Sequence, residues 1–229
     1  MMRSLVLAAL LAAATAGAAD LVAVDVGHSH SKSGATSAGG RPEFEFNLAL
    51  ARVVGDALTQ DGHEVRLIGA DGEMDVLTER TRAAAGADFF LSIHHDSVQP
   101  QYLPQAGRFA GYSLFVSRKN VDPAASLACA TRVGDALLAA GLKPSLHHAE
   151  PIAGENRPLA DAQRGIYWFD DLVVLKTATQ PALLFEAGVI VNPQQEALLR
   201  QPATRTLLAQ ALATGLHQCG IGGRQPEAK

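Results

Sequence analysis

The sequence predicts a single α/β domain: a mostly parallel, twisted sheet of about six strands with helices on both faces. Three observations carry this expectation. Short, continuously apolar runs alternate along the chain with segments in which apolar residues recur every three or four positions. Of the 229 residues, 48% are apolar and 18% charged, the balance of one globular unit with a sizeable core. No internal repeat or low-complexity linker divides the chain.

Taken in order, Leu21 to Val26 is an apolar run broken only by Asp25 and stopped by Gly27, a buried strand ending in a turn. Phe44, Leu48, Ala51, Val54 and Leu58 then follow a helical period that ends at Asp61-Gly62. Val65 to Ile68 reads as a second strand, Val76 to Ala85 as a second helix and Asp88 to His94 as a third strand. Tyr112 to Ser117 is a further strand, and the Asp-Pro pair at 122–123 opens an amphipathic helix reaching Leu142. Residues 141–170 have little period and read as a long surface loop or lid. Leu172 to Leu175 and Ala182 to Phe185 are read as two more strands. The last helical stretch, Gln194 to Gln218, is cut by Pro202 into two helices or one kinked helix.

The ends of the chain have a different character. Arg3 precedes an apolar run from Leu5 to Ala14, and small residues follow up to Asp20, so residues 1–19 read as a secretory signal peptide cleaved after Ala18 or Ala19. Its apolar run, about ten residues or ~15 Å of helix, is too short to span a bilayer. Residues 20–223 form the expected catalytic domain and 224–229 a polar tail. The net charge of −4 becomes −5 once Arg3 is removed, and no run of Lys or Arg is present to track a phosphate backbone, so nucleic acid is not an expected partner. Cys129 and Cys219 are the two cysteines. The sequence leaves open whether they join in the oxidising compartment that export implies or stay separate thiols.

Ligands of open α/β sheets bind beyond the carboxyl ends of the strands. Here the first strand runs into Gly27-His28, the third ends in Ser92-Ile93-His94-His95-Asp96, and the strand from Ala182 delivers Glu186. The first helix opens at the same rim with Pro42-Glu43. Singly, each of these residues has a simpler reading: a hydrogen-bonded histidine, or a carboxylate favoured by the helix dipole. Jointly they suit one zinc ion, with His28, Glu43 and His94 as ligands, a water in the fourth position, and Glu186 as general base on that water. A carboxylate ending a buried apolar strand must be paired, protonated or functional.

On these residues the sequence resembles the zinc-dependent N-acetylmuramoyl-L-alanine amidases of the type 3 amidase family. Their Asp-Pro-Gly-His segment is Asp25-Val26-Gly27-His28 here; Gly-x-x-Glu with a following Asn-Leu is Gly40 to Glu43 with Asn47-Leu48. Ser-Ile-His-x-Asn is Ser92 to Asp96, and the late Glu-x-Gly segment is Glu186 to Asn192. Leu77 with Arg80, and Arg164-Gly165, match two further family signals. The resemblance covers nearly the whole mature chain and implies zinc on His28, Glu43 and His94, with catalysis by Glu186. Glu45 is the competing ligand, and Glu43 is preferred because it lies four residues before Asn47, the family spacing. Val26, Asp96 and Ile68-Gly69 depart from the pattern without removing a ligand or the base. His95, next to His94 on a strand, is expected to point the other way.

The implied function is hydrolysis of the amide between N-acetylmuramic acid and L-alanine in peptidoglycan or muropeptides, in the periplasm. The alternatives are another zinc peptidase or deacetylase of the cell wall, or a noncatalytic peptidoglycan-binding module. His147 and His148, clustered in sequence with Glu150 and Glu155, are candidate substrate contacts overhanging the rim, against the plainer reading of a solvated loop. Arg164 and Asn192 are further candidate substrate contacts. Thirty loosely patterned residues leave little room for the regulatory helix that some periplasmic relatives insert there. Whether a protein activator is required, and what the oligomeric state is, the sequence leaves open.

Overall fold

The computed structural model describes residues 19–221; the expected signal peptide, apart from Ala19, and the polar tail lie outside the described residues. The chain folds around a seven-stranded sheet of order β2-β1-β3-β7-β4-β6-β5. The strands are β1 (Leu21–Val26), β2 (Glu64–Ile68), β3 (Phe89–Asp96), β4 (Ser113–Val116), β5 (Leu159–Asp161), β6 (Ile166–Trp168) and β7 (Ala182–Val189). The pairs β1–β2, β1–β3, β3–β7 and β4–β6 are parallel, whereas β4–β7 and β5–β6 are antiparallel. The expected mostly parallel sheet is therefore present with one strand more than anticipated.

Helices cover both faces, as the apolar strand runs require. On one face α1 (Glu43–Gln60), α3 (Pro123–Ala139) and α6 (Pro202–Cys219) bury Leu50, Val54, Leu58, Val133, Leu137, Leu208 and Leu212 against Val22, Leu91 and Phe185. On the other, α2 (Leu77–Ala83) and α4 (Val173–Thr177) cover Ala23, Phe90 and Leu184. Burial of this kind stabilises by roughly 1.5–3 kcal/mol for each large aliphatic side chain. The short helix α5 (Pro193–Leu199) follows β7, capped by the Asn192 side chain, which accepts from the Gln194 and Gln195 amides.

Two expectations are corrected. Leu172 to Leu175 is not a strand: residues from Val173 form α4, because four apolar residues fix a buried segment without fixing its period. Residues 141–170 are not a single loop, since they hold a short 3₁₀ turn at His147–Ala149 and the strands β5 and β6. Three-residue strands are too short to show alternation. Pro202 does separate two helices, standing at the first position of α6, where its missing N–H costs no hydrogen bond.

Cys129 and Cys219 are joined, tying α3 to the end of α6 with a Cα separation of 4.9 Å. One helical turn away, Gly215 lies so close to α3 that a Cβ there would stand 2.4 Å from the Val133 Cα. The bridge and the missing side chain both belong to this close helix contact. Replacing both cysteines by Ser is expected to lower unfolding free energy by about 2–4 kcal/mol, because the bridge closes a loop of 90 residues. Urea melts of the parent and the double variant measure it; equal midpoints and slopes would show that the bridge contributes nothing.

Candidate active site

β1, β3 and β7 run parallel and side by side, so their carboxyl ends open on one rim, and α1 begins there. His28 follows β1 in a left-handed conformation, φ 69°, uncommon outside glycine. Arg80 holds that turn from beneath: it is 2% exposed and donates to the carbonyls of Val26, His28 and Met74 and to the Asp25 carboxylate. Ser92 donates to the other Asp25 oxygen at 2.6 Å. The family-like Arg80 thus shapes the loop that carries His28.

Glu43 is the first residue of α1 and is buried. Its Oε2 lies 3.0 Å from His28 Nε2 and accepts from the Ala35 amide; its Oε1 lies 3.1 Å from His94 Nδ1 and accepts from the Asn47 side chain and the His95 amide. Burial alone would raise this carboxyl, but the hydrogen bonds from His28 and His94 hold it well below the usual carboxylate range. The spacing of Glu43 and Asn47 has a direct cause, since residues four apart share a helix face and Asn47 braces the carboxylate while also donating to the Gly27 carbonyl. Glu45 is exposed and pairs instead with Arg41. Glycines make room for the cluster: a Cβ on Gly27 would stand 2.3 Å from the His94 ring, and one on Gly34 2.4 Å from Glu43 Oε2.

His95 does point away, toward α1, where Asn47 Oδ1 accepts from its Nδ1 at 2.8 Å. Burial pushes its imidazole down to about 3, so it is neutral and acts as a structural donor. His94 lies on the opposite face of β3, in register with Glu186 on β7. Glu186 Oε2 is sealed from solvent without a hydrogen-bond partner. Burial, then the nearby Asp96 and Glu43 carboxylates, push the Glu186 carboxyl well above its ordinary range. A cleft of about 310 Å³ is bordered by His28, His94, Lys32, Asp75 and Leu172.

The ligand atoms of His28, Glu43 and His94 all lie within 4.8 Å of one another. Two imidazole nitrogens and a carboxylate oxygen form the donor set of a catalytic zinc site, so these residues fit such an ion. Of the other candidates, His147 and His148 are buried or nearly so and meet Asp96 at the end of β3, which excludes a solvated loop. The sequence pointed to this pair but not to its connection with Asp96; the sole hint was an aspartate where the resemblance expects asparagine. Arg164 and Asn192 are not brought to the rim cluster. The Arg164 guanidinium goes to Asp135 and Asp161, and Asn192, besides capping α5, donates to the Gly107 and Phe109 carbonyls.

Residues 22–218 match the family described as N-acetylmuramoyl-L-alanine amidase. The chain belongs to that amidase family. Among its relatives, the N-acetylmuramoyl-L-alanine amidase AmiA of Salmonella typhimurium is 29% identical over 225 aligned residues, covering 87% of this chain and 76% of the relative. The AmiA of Escherichia coli is 28% identical with the same coverage. Among solved structures, the catalytic domain of the amidase CwlV from Bacillus (Paenibacillus) polymyxa superposes with a TM-score of 0.68 at 27% identity, covering 87% of this chain and 97% of that domain. The apo form of the Mycobacterium abscessus amidase Ami1 gives 0.71 at 25% identity, covering 88% and 99%. This amidase chain therefore has the family's single α/β domain, and no helix among the described residues is long and apolar enough to cross a membrane.

Proposed function

We propose that this chain is an exported zinc hydrolase cutting the amide between N-acetylmuramic acid and L-alanine, with His28, Glu43 and His94 holding the metal and Glu186 as general base. The observation that carries the reading is the unpartnered, sealed Glu186 Oε2 on the strand adjacent to His94. Zinc, when bound, supplies Lewis acidity that polarises the amide carbonyl and acidifies an attacking water. Glu186 takes the proton from that water and returns it to the nitrogen of the departing L-alanine, so the base ends the cycle as it began. Asn47 and the amides of Ala35 and His95 fix the Glu43 carboxylate, so its oxygens need little reordering when the ion arrives. Lys32 and Asp75 at the cleft border offer polar contacts to a stem peptide. The signal-peptide-like amino terminus and the disulfide support a periplasmic location.

Zymography on purified cell walls, with product analysis, tests the reaction. Stem peptides released with a free L-alanine amino terminus are expected; free acetate would indicate a deacetylase, and binding without cleavage a noncatalytic module. His28→Ala is expected to lower zinc affinity at this cluster by at least ~10-fold and to abolish clearing of the gel. Parental zinc affinity in that variant, read by competition with a chelating dye, would remove His28 from the ligand set.

A further inference from the structure

We propose that Asp96, His147 and His148 form a second divalent-cation site of the zinc class, distinct from the cluster of His28, Glu43 and His94. The three ligand atoms lie within 4.8 Å of one another. Asp96 Oδ2 is 2.8 Å from His148 Nε2 and 3.5 Å from His147 Nε2, so both imidazoles aim the same nitrogen at one carboxylate oxygen. The remaining ring nitrogens are occupied from behind. Ser145 Oγ lies 2.8 Å from His147 Nδ1, and Glu155 Oε2 lies 2.7 Å from His148 Nδ1. Glu155 is itself fixed, accepting from the Gln99 side chain at 2.9 Å. Outer groups that lock each imidazole through Nδ1 and turn Nε2 toward the ion are the usual support of metal-bound histidines.

An independent observation points the same way. The His147 side chain is 4% exposed, yet its Nε2 makes no hydrogen bond of ordinary geometry. With Asp96 Oδ2 at 3.5 Å and the Ser97 backbone as the ring's other polar neighbour, this buried nitrogen is under-satisfied, which costs free energy unless a further group binds it. The rings of His147 and His148 lie 3.9 Å apart, so one ion could reach both. A divalent cation placed between them would engage Asp96 Oδ2 and both Nε2 atoms. Two imidazoles and one carboxylate leave coordination positions for oxygen ligands from water or substrate. Asp96 follows His94 by two residues on β3, which places this site on the same rim.

Equilibrium dialysis of the purified, chelator-stripped protein against Zn²⁺, followed by elemental analysis, decides the matter. Two equivalents are expected in the parent, one in each of His147→Gln and His148→Gln, and one in His28→Ala. The double variant His28→Ala/His147→Gln is expected to hold none. Circular dichroism establishes that each variant is folded. Crystals of the parent soaked in Zn²⁺ supply a measurement that needs no variant, an anomalous peak bounded by Asp96, His147 and His148. One equivalent in the parent that His28→Ala loses and both glutamine variants keep, or two retained in both glutamine variants, would overturn the second site. Retention of both equivalents in His28→Ala would instead count against the first cluster and leave the second standing.

Discussion

Glu186→Gln is expected to lower amidase turnover by about 10²–10⁴-fold while zinc content stays at the parental value. That loss corresponds to about 3–5 kcal/mol of transition-state stabilisation, the range ascribed to a positioned proton-transfer group. Gln keeps the size of the side chain but can neither accept the water proton nor return it to the leaving nitrogen. Glu186 makes no hydrogen bond through Oε2 and stands near the Asp96 and Glu43 carboxylates, so neutralising it removes repulsion. The variant is therefore expected to melt at or above the parental temperature, which separates lost chemistry from lost fold. His94→Ala makes the contrasting case, because it removes a proposed ligand and is expected to lose bound zinc and activity together. A Glu186→Gln protein with near-parental turnover would take the base role from Glu186 altogether.

How much of this was legible beforehand depends on the range of the interaction involved. The rim was legible because each member ends or begins a regular element: His28 after β1, His94 near the end of β3, Glu186 on β7 and Glu43 at the start of α1. Parallel topology then brings them together without any long loop having to be foreseen. That Glu43 and not Glu45 turns inward was legible too, because Glu43 lies on the helix face that Asn47 shares. Pairings decided by tertiary packing were not. Nothing in residues 141–170 signals that His147 and His148 reach back to Asp96, a residue some fifty positions earlier. Nor does the period of Val173 to Leu175 distinguish a short helix from a strand. Arg164 is a candidate substrate contact by its motif, but two aspartates from α3 and β5 claim it, a competition that tertiary packing decides.

The second large effect concerns Arg80, where stability and the proposed metal site meet. Arg80→Met is expected to cost about 3–5 kcal/mol of unfolding free energy, the cost of leaving a buried charge without its partner. Asp25 is 1% exposed and would keep only the Ser92 hydroxyl, while the Val26, His28 and Met74 carbonyls would each lose a donor. Adding Asp25→Asn to Arg80→Met removes the stranded charge, so the double variant is expected to be more stable than Arg80→Met alone. Arg80→Lys would keep the charge but not the planar fork that reaches four acceptors, and should fall between the parent and Arg80→Met. The same substitutions reach the site through the His28 carbonyl. Without Arg80, the left-handed residue that presents the imidazole to Glu43 is free to relax, and zinc affinity should drop about 10–100-fold even in the folded fraction. Denaturant melts joined to zinc competition read both effects on one set of proteins. An Arg80→Met protein within ~1 kcal/mol of the parent would mean that water replaces the guanidinium, and that the turn at His28 holds its shape unaided.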